Sequence, residues 1–446
     1  MTDSSNTVPR VPKRVAAVIL NSLKGGVVPR IGLPYITVGR ETEIRALLAD
    51  LSLIADGGAS FRFLVGRYGA GKSFLLQTIR THAMGEGFVV ADADLSPERR
   101  LQGGQGQGLA TYRELIRNLS TKTRPEGGAL NLILDRWVAS TLDIRAGEGD
   151  DAESCMRAQL DELEEMVHGF DFARMLMRYR AATLEGDDEA KSCITRWMRG
   201  EYRTKTEAKT ELGTSTIITD DDWYDYVKLL ARFLVSAGYK GLIVMIDELV
   251  NLYKIPNAIT RQYNYEKILT MYNDTLQGKA HHLGIIMGGT PTSIEDRRRG
   301  VFSYEALRSR LTQGRFARED MRDMLAPIIR LHPLAYEELL VLIEKLGQIH
   351  AGYFGYEDTI TDKDLAAFLQ IEFGRVGADT HLTPREVIRD FIELLDIAYQ
   401  NPDVDIAALL RDEGAIAGTG TPAAFGGTNN GSDGDPGVAP FAEFTL

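Results

Sequence analysis

Cysteine is nearly absent from this chain of 446 residues: Cys155 and Cys193 are its two. Two so placed form neither a disulfide framework nor a zinc-ligand pattern, and such scarcity fits a reducing compartment. Long hydrophobic runs are missing as well. No stretch approaches the ~20 apolar residues that a membrane-spanning helix needs. The early run VAAVIL follows basic residues, but it is too short for a secretion-signal core and no small-residue cleavage site follows. It reads as a packed helix ended by Gly25 and Gly26. The expectation is a cytoplasmic protein with no membrane association. Positive charge is in deficit, with a formal net charge of −12. That balance argues against a protein that coats nucleic acid with its whole surface, and it leaves any DNA contact to local clusters. Two clusters qualify: Arg297, Arg298 and Arg299, and a second made of Arg196, Arg199, Arg203, Lys205 and Lys209. Charge runs are usually solvated faces, which is the plainer reading of both.

What is present is ordinary globular material, with 44% hydrophobic and 26% charged residues, in a chain long enough for two or three domains. Residues 1–45 read as a helix followed by an irregular segment. From there to about 332, apolar runs alternate with helical patterns, which predicts an α/β core with a mostly parallel sheet. The clearest strands are FRFLVG at 61–66, GFVVADAD at 87–94, GLIVMIDE at 241–248 and LGIIMGG at 283–289. Continuous apolar runs of this kind suit strands covered on both faces. The distance from Lys72 to Asp247 far exceeds the ~30 residues of a βαβ unit. A mainly helical insert is therefore expected at about 125–215, with Leu160, Leu163, Met166, Val167, Phe170 and Met175 at near-helical spacing as its packing stripe. Residues 333–412 become all-helical, through AYEELLVLIEKL, DKDLAAFLQIEF and TPREVIRDFIELLDIAYQ, and predict a separate helical lid domain. The glycine-rich tail, 413–446, reads as disordered.

The chemistry starts at Gly66–Ser73, which matches G-x-x-x-x-G-K-[ST] between an apolar strand and a helix. Gly66, Arg67, Tyr68, Gly69, Ala70 and Gly71 supply a tightly folded backbone whose N–H groups can face phosphate oxygens. The helix beginning near Lys72 adds its positive end, and Phe74 lies in its first turn. Lys72 offers a cation to the β and γ phosphates, and Ser73 offers a hydroxyl to Mg²⁺. The strand GLIVMIDE then delivers Asp247 and Glu248 to the sheet's carboxyl edge. Asp247 is placed to orient the Mg²⁺ shell and Glu248 to polarise an attacking water. Thr290, ending the next strand, is a candidate for holding that water, with turn chemistry around Pro291 as the alternative. Arg310 and Arg308 are candidates for reaching a neighbouring subunit's nucleotide. Arg385, after the first-turn Pro384, is placed to reach back to the phosphates. ATP is preferred to GTP because no [NT]KxD guanine-reading motif follows a late strand.

Together these elements resemble the AAA+ P-loop ATPases, in particular the initiator-like branch related to origin-recognition proteins. TVGRETEI is similar to the segment that packs near adenine, LIVMIDE to Walker B, GGT to sensor 1, RSRL to the finger motif and TPRE to sensor 2. Sensor 1 is a threonine where many AAA+ proteins carry asparagine, and no winged-helix pattern follows the lid. VGRYGAGKSFLL, VVADADLSPE, IDELVNLYKI and EALRSRL are similar, more closely, to the BrxD-like ATP-binding proteins of BREX phage-defence islands. The resemblance implies an adenine nucleotide with Mg²⁺ and an ATP-hydrolysing switch or remodeller, with a DNA-engaging loader or translocase of the same pathway, or a nucleotide-stabilised scaffold with little hydrolysis, as the alternatives. It also implies a homo-oligomer or AAA+ hetero-assembly as the working form, with other defence proteins as partners.

Overall fold

The computed structural model describes residues 11–147, 160–312, 314–316, 321–375, 383–404 and 408–410; Cys155 and the glycine-rich tail lie outside them. Before the first strand come α1 (Lys13–Lys24), α2 (Leu33–Ile36) and α3 (Glu41–Ala55). Strand β1 (Ala59–Val65), helix α4 (Lys72–Gly85) and strand β2 (Val89–Asp94) follow. A helical stretch comes next: α5 (Gln107–Arg117), α6 (Leu130–Gly147), α7 (Gly169–Glu185), α8 (Asp188–Met198), α9 (Lys205–Leu212) and α10 (Trp223–Ser236). The chain returns to the sheet through β3 (Leu242–Asp247), α11 (Val250–Tyr253), α12 (Ala258–Leu276) and β4 (Leu283–Gly289). After α13 (Pro291–Glu295), α14 (Glu305–Leu311) and β5 (Ile328–Arg330) come α15 (Tyr336–Phe354), α16 (Asp362–Arg375) and α17 (Pro384–Gln400).

The five strands form one parallel sheet in the order β2–β3–β4–β1–β5, an α/β architecture of P-loop NTPase type. Alternation within each strand explains why the runs read as continuously apolar. Phe61, Phe63 and Val65 of β1, with Val244 and Ile246 of β3, face the larger core, which includes residues of α5 to α10 and α12. Leu64, Ile243, Met245 and Ile286 face the other side, against Leu47 and Leu51 of α3 and Leu75 and Ile79 of α4. Each strand thus buries both of its faces.

Two details differ from the sequence reading. Strand β5 has no counterpart among the expected strands, because three residues are too few to carry a period. It is held from β1, where Arg62 grips both Asp50 oxygens at 2.6 and 2.7 Å and donates to the carbonyls of Leu325 and Ala326 at 2.8 and 2.7 Å. The stripe from Leu160 to Met175 is also broken rather than continuous. His168 has φ +61°, and a Cβ on Gly169 would lie 1.7 Å from the Leu163 carbonyl oxygen. The turn there leaves Leu160, Leu163 and Met175 buried but exposes Val167 and Phe170 by 61% and 60%.

A third core joins the ends of the described chain. Ala16, Ile19 and Leu20 of α1 pack with Leu342, Leu346, Phe368 and Phe391 of the three last helices. Among them His350 is buried, 2.8 Å from the Tyr356 hydroxyl through Nδ1 and 3.2 Å from Asp396 Oδ1 through Nε2. Lys24 of α1 binds the second Asp396 oxygen at 2.6 Å. Burial pushes the His350 imidazole below its ordinary value of 6.5, and Asp396 opposes that shift in part. Burial raises the Asp396 carboxyl, but bonds from Lys24 and His350 outweigh it and leave the group below its ordinary value. For both groups the unfolded chain binds protons more readily, so both contribute stability that is lost as pH falls. The His350 part is fully present above about pH 6.5 and declines below it. We expect the melting temperature to fall between about pH 7 and pH 5, and His350→Gln to flatten that slope. An unchanged slope in the variant would remove His350 as its source.

Candidate functional site

The segment between β1 and α4 turns back on itself through two glycines in the left-handed region, Gly69 at φ +75° and Gly71 at φ +91°. Their reasons differ. A Cβ on Gly71 would meet nothing within 4 Å, so the backbone angle alone calls for glycine there. A Cβ on Gly69 would lie 2.7 Å from Thr383 Oγ1, so space is also limiting. Lys72 opens α4 and its ammonium donates to the loop carbonyls of Gly66 and Arg67 at 2.9 and 3.0 Å. It also lies 5.4 Å from the centre of the Tyr68 ring. Burial lowers the Lys72 pKa, while Asp247 and Glu248 push it back up. Those same carboxylates, after burial, raise the Tyr68 phenol.

The acidic doublet reaches the loop from β3. Ser73 Oγ lies 3.4 Å from Asp247 Oδ2, and the other Asp247 oxygen accepts from the Glu248 N–H at 2.8 Å. Glu248 itself has φ +63°. A non-glycine residue held in that region stores strain of order 1–3 kcal/mol, a feature that clusters at functional sites. Gly288 of the adjacent strand makes the room, since a Cβ there would lie 2.1 Å from Asp247 Oδ1. Asp94, paired with Asp247 in the parallel register of β2 and β3, has its carboxyl raised by burial and by Asp247.

The opposite wall is apolar and comes from other elements. Leu23, Val27, Val28, Ile36, Val38 and Leu342 line one pocket together with Tyr68 through Phe74, Asp247 and Glu248. Arg385, in the first turn of α17, lines it too. That helix is fixed by a reciprocal cap: the Thr383 hydroxyl accepts from the Glu386 N–H, and the Glu386 carboxylate accepts from the Thr383 N–H at 3.1 Å. Arg40 completes the frame. It is buried, and its Nη2 donates at 3.0 Å both to Ala70 O in the loop and to His332 O ahead of α15.

The structure therefore gathers Tyr68 to Phe74, Asp247, Glu248 and Arg385 around one pocket, with Gly66 and Arg67 in the backbone behind Lys72. It does not bring the other candidates there. Thr290 follows Gly289, whose carbonyl accepts from the Gly66 N–H at 3.1 Å; its hydroxyl caps α13 by accepting from the Ser293 N–H at 3.2 Å, and it is not among the residues lining the pocket. Arg308 pairs with Glu305 at 3.4 Å, and exposed Arg310 donates to Ala306 O at 2.7 Å, both on α14. In the basic clusters, Arg196 is bound to Glu207 and Glu211 at 2.8 Å each, and Arg299 sits over the Tyr253 ring. Val38 and Arg40 fall in TVGRETEI, the segment whose resemblance places it near adenine; the individual roles of Arg40 and Asp94, and of Leu23, Val27, Val28, Ile36 and Leu342 in the wall, escape a reading of the sequence. An arginine before a helix and an aspartate ending a strand carry no local mark of what they will face.

Among the described residues no group of three or more histidines, cysteines or acids is arranged to hold a metal. Mg²⁺ binds through one or two carboxylates plus phosphate oxygens and water; Ser73 and Asp247, 3.4 Å apart, are the residues that would hold it. No helix among these residues is long and apolar enough to cross a membrane. No curated protein matches the sequence. The family model described as BREX system ATP-binding protein BrxC/D matches residues 11–414, and the chain belongs to that family.

Proposed function

We propose that the chain binds ATP with Mg²⁺ in this pocket and hydrolyses it, as a nucleotide-driven switch or remodeller in the cytoplasmic part of a BREX-type phage defence. The observation that carries the reading is the meeting of the phosphate-type loop with the acidic doublet, Ser73 to Asp247 at 3.4 Å. The loop N–H groups and the α4 end receive phosphate oxygens, and Lys72 exchanges its bonds to Gly66 O and Arg67 O for the β and γ phosphates. The apolar wall takes the base. Mg²⁺, held by Ser73 and reached by Asp247, supplies charge neutralisation on the phosphates when bound. Glu248, kept facing the pocket by its backbone angle, takes the role of polarising the attacking water. Arg385 stabilises negative charge on the transferred group from the lid side.

The helices after residue 333 serve as the lid of a core spanning 46–332, so that the nucleotide state sets the angle between the two. Arg308 and Arg310 lie away from this chain's own pocket. In an assembly they act on a neighbour's nucleotide, in a ring of identical chains or with other defence proteins.

Three substitutions separate binding from turnover. Lys72→Ala abolishes ATP binding measured by fluorescent-nucleotide titration, with a loss of at least ~100-fold expected for removing a half-buried cation from a phosphate site. Glu248→Gln keeps ATP binding within a few-fold but reduces phosphate release by ~100-fold or more. Equal turnover in that variant and the native protein would overturn the assignment of Glu248. For Arg310→Ala, light scattering and turnover are read together. Turnover should fall in the assembled protein, and a chain that is monomeric with ATP yet fully active would eliminate a role in trans.

A further inference from the structure

Away from the nucleotide pocket, and sharing no residue with it, a cavity of about 540 Å³ opens between α5 and the turn that follows α8. Four arginines line it, Arg99, Arg113, Arg117 and Arg199, against two carboxylates, Glu114 and Glu201. In a chain of net charge −12 this is a local excess of cation. The pairing is also uneven. Glu114 serves two guanidiniums, accepting from Arg117 and lying 3.6 Å from Arg99. Arg113 spends two of its donors on a single carbonyl, Gly200 O, at 2.7 and 2.6 Å. Arg199 reaches Asn131 Oδ1 at 3.4 Å, a long bond to a neutral group. A fifth arginine stands at the rim: Arg124 Nη2 lies 3.6 Å from the Cβ position of Gly128, itself part of the lining.

We propose that this cleft binds phosphate groups, as carried by a nucleic-acid backbone or by a small polyphosphate. Guanidinium is suited to it, because its planar fork binds phosphate oxygens bidentately and stays charged. The cations come from three separate segments, the loop after β2, helix α5 and the turn after α8. A ligand with several phosphates bridges them, whereas each arginine–carboxylate pair now present is a partly exposed bond of small worth. The position also ties the cleft to the sheet edge, since Arg99 Nε donates to Asp94 O at 3.0 Å, beside Asp247 in the strand register. The two basic clusters of the sequence contribute Arg199 alone to the lining. Phosphate binding here does not depend on ATP hydrolysis at the other site.

The test uses the full chain carrying Lys72→Ala, so that the phosphate loop is not the receiver. Fluorescein-labelled single-stranded and duplex oligonucleotides are titrated by anisotropy at about 50 and 200 mM salt, and inorganic pyrophosphate is added as competitor. Binding should weaken at least ~10-fold in Arg117→Glu with Arg199→Glu, and less in the corresponding Gln pair. The slope of log affinity on log salt should fall by roughly 1.4 for single strands, or 0.7 for each lost contact. Competition by pyrophosphate identifies phosphate as sufficient; oligonucleotide binding that resists it identifies the polymer backbone. Either result supports the cleft. Binding unchanged in both variant pairs, with circular dichroism showing the fold retained, overturns it. So does the absence of binding to every phosphate probe, or binding to poly-glutamate in their place.

Discussion

The parallel pairing of β1, β4 and β3 is the constraint on which the site depends. Val65 lies in register with Gly289, and Ile246 with Met287. Three strands therefore end at one edge of the sheet, and the segments leaving them enter the same space. The loop after β1 carries Lys72 and Ser73, and the end of β3 carries Asp247 and Glu248. Residues far apart in sequence meet because hydrogen bonds between strands fix the relative height of their ends. The burial of both sheet faces makes that register hard to slip, since a shift by one residue would exchange the sets facing the two cores.

Within that frame the site is built from positions where a side chain is withheld. Gly288 has no Cβ, and Asp247 occupies the volume it would fill. Gly69 has none, and Thr383 stands there, bringing the start of α17 against the loop. Glu248 is the converse, a side chain kept at an angle that favours glycine. The Asp247 oxygen that accepts its N–H helps to hold that angle. Packing around the doublet thus determines both where the carboxylates are and how little they can relax.

The α/β class, four of the five strands, the phosphate-type loop and the three closing helices are legible in the sequence. Each rests on a local pattern long enough to be counted. The loop has a glycine-and-lysine spacing inside eight residues, and α17 begins with Thr383-Pro384 followed by Glu386. The features that are not legible depend on long-range placement. Strand β5 is three residues held from outside by Arg62, and no period can show in so few. The break at His168 lies inside an apparently helical stripe, where the spacing of apolar residues continues across a turn. Thr290 reads as a site residue because it ends a strand beside the acids. Its hydroxyl accepts from the Ser293 N–H, the turn chemistry that the sequence offers as the alternative, and the O–H remains a donor. Arg40 and the arginine cleft are assembled from distant segments, so no window of sequence contains them.

Arg40 shows how the layers are mechanically joined. One nitrogen holds the loop at Ala70 and the connection to the helical layer at His332, at the same distance. Burial depresses its pKa, and Glu43 and Glu338 counter the shift. Glu43 belongs to α3 and Glu338 to α15, so part of the charge that steadies this arginine comes from the layer it anchors. Helix α1 adds a second tie, packing into the core of that layer while the segment after it lines the pocket wall. A displacement of the closing helices relative to the loop would therefore strain the Arg40 bonds and move Val27 and Val28 at the same time. The apolar wall and the glycine loop are not independent surfaces, because one buried cation and one short helix couple them.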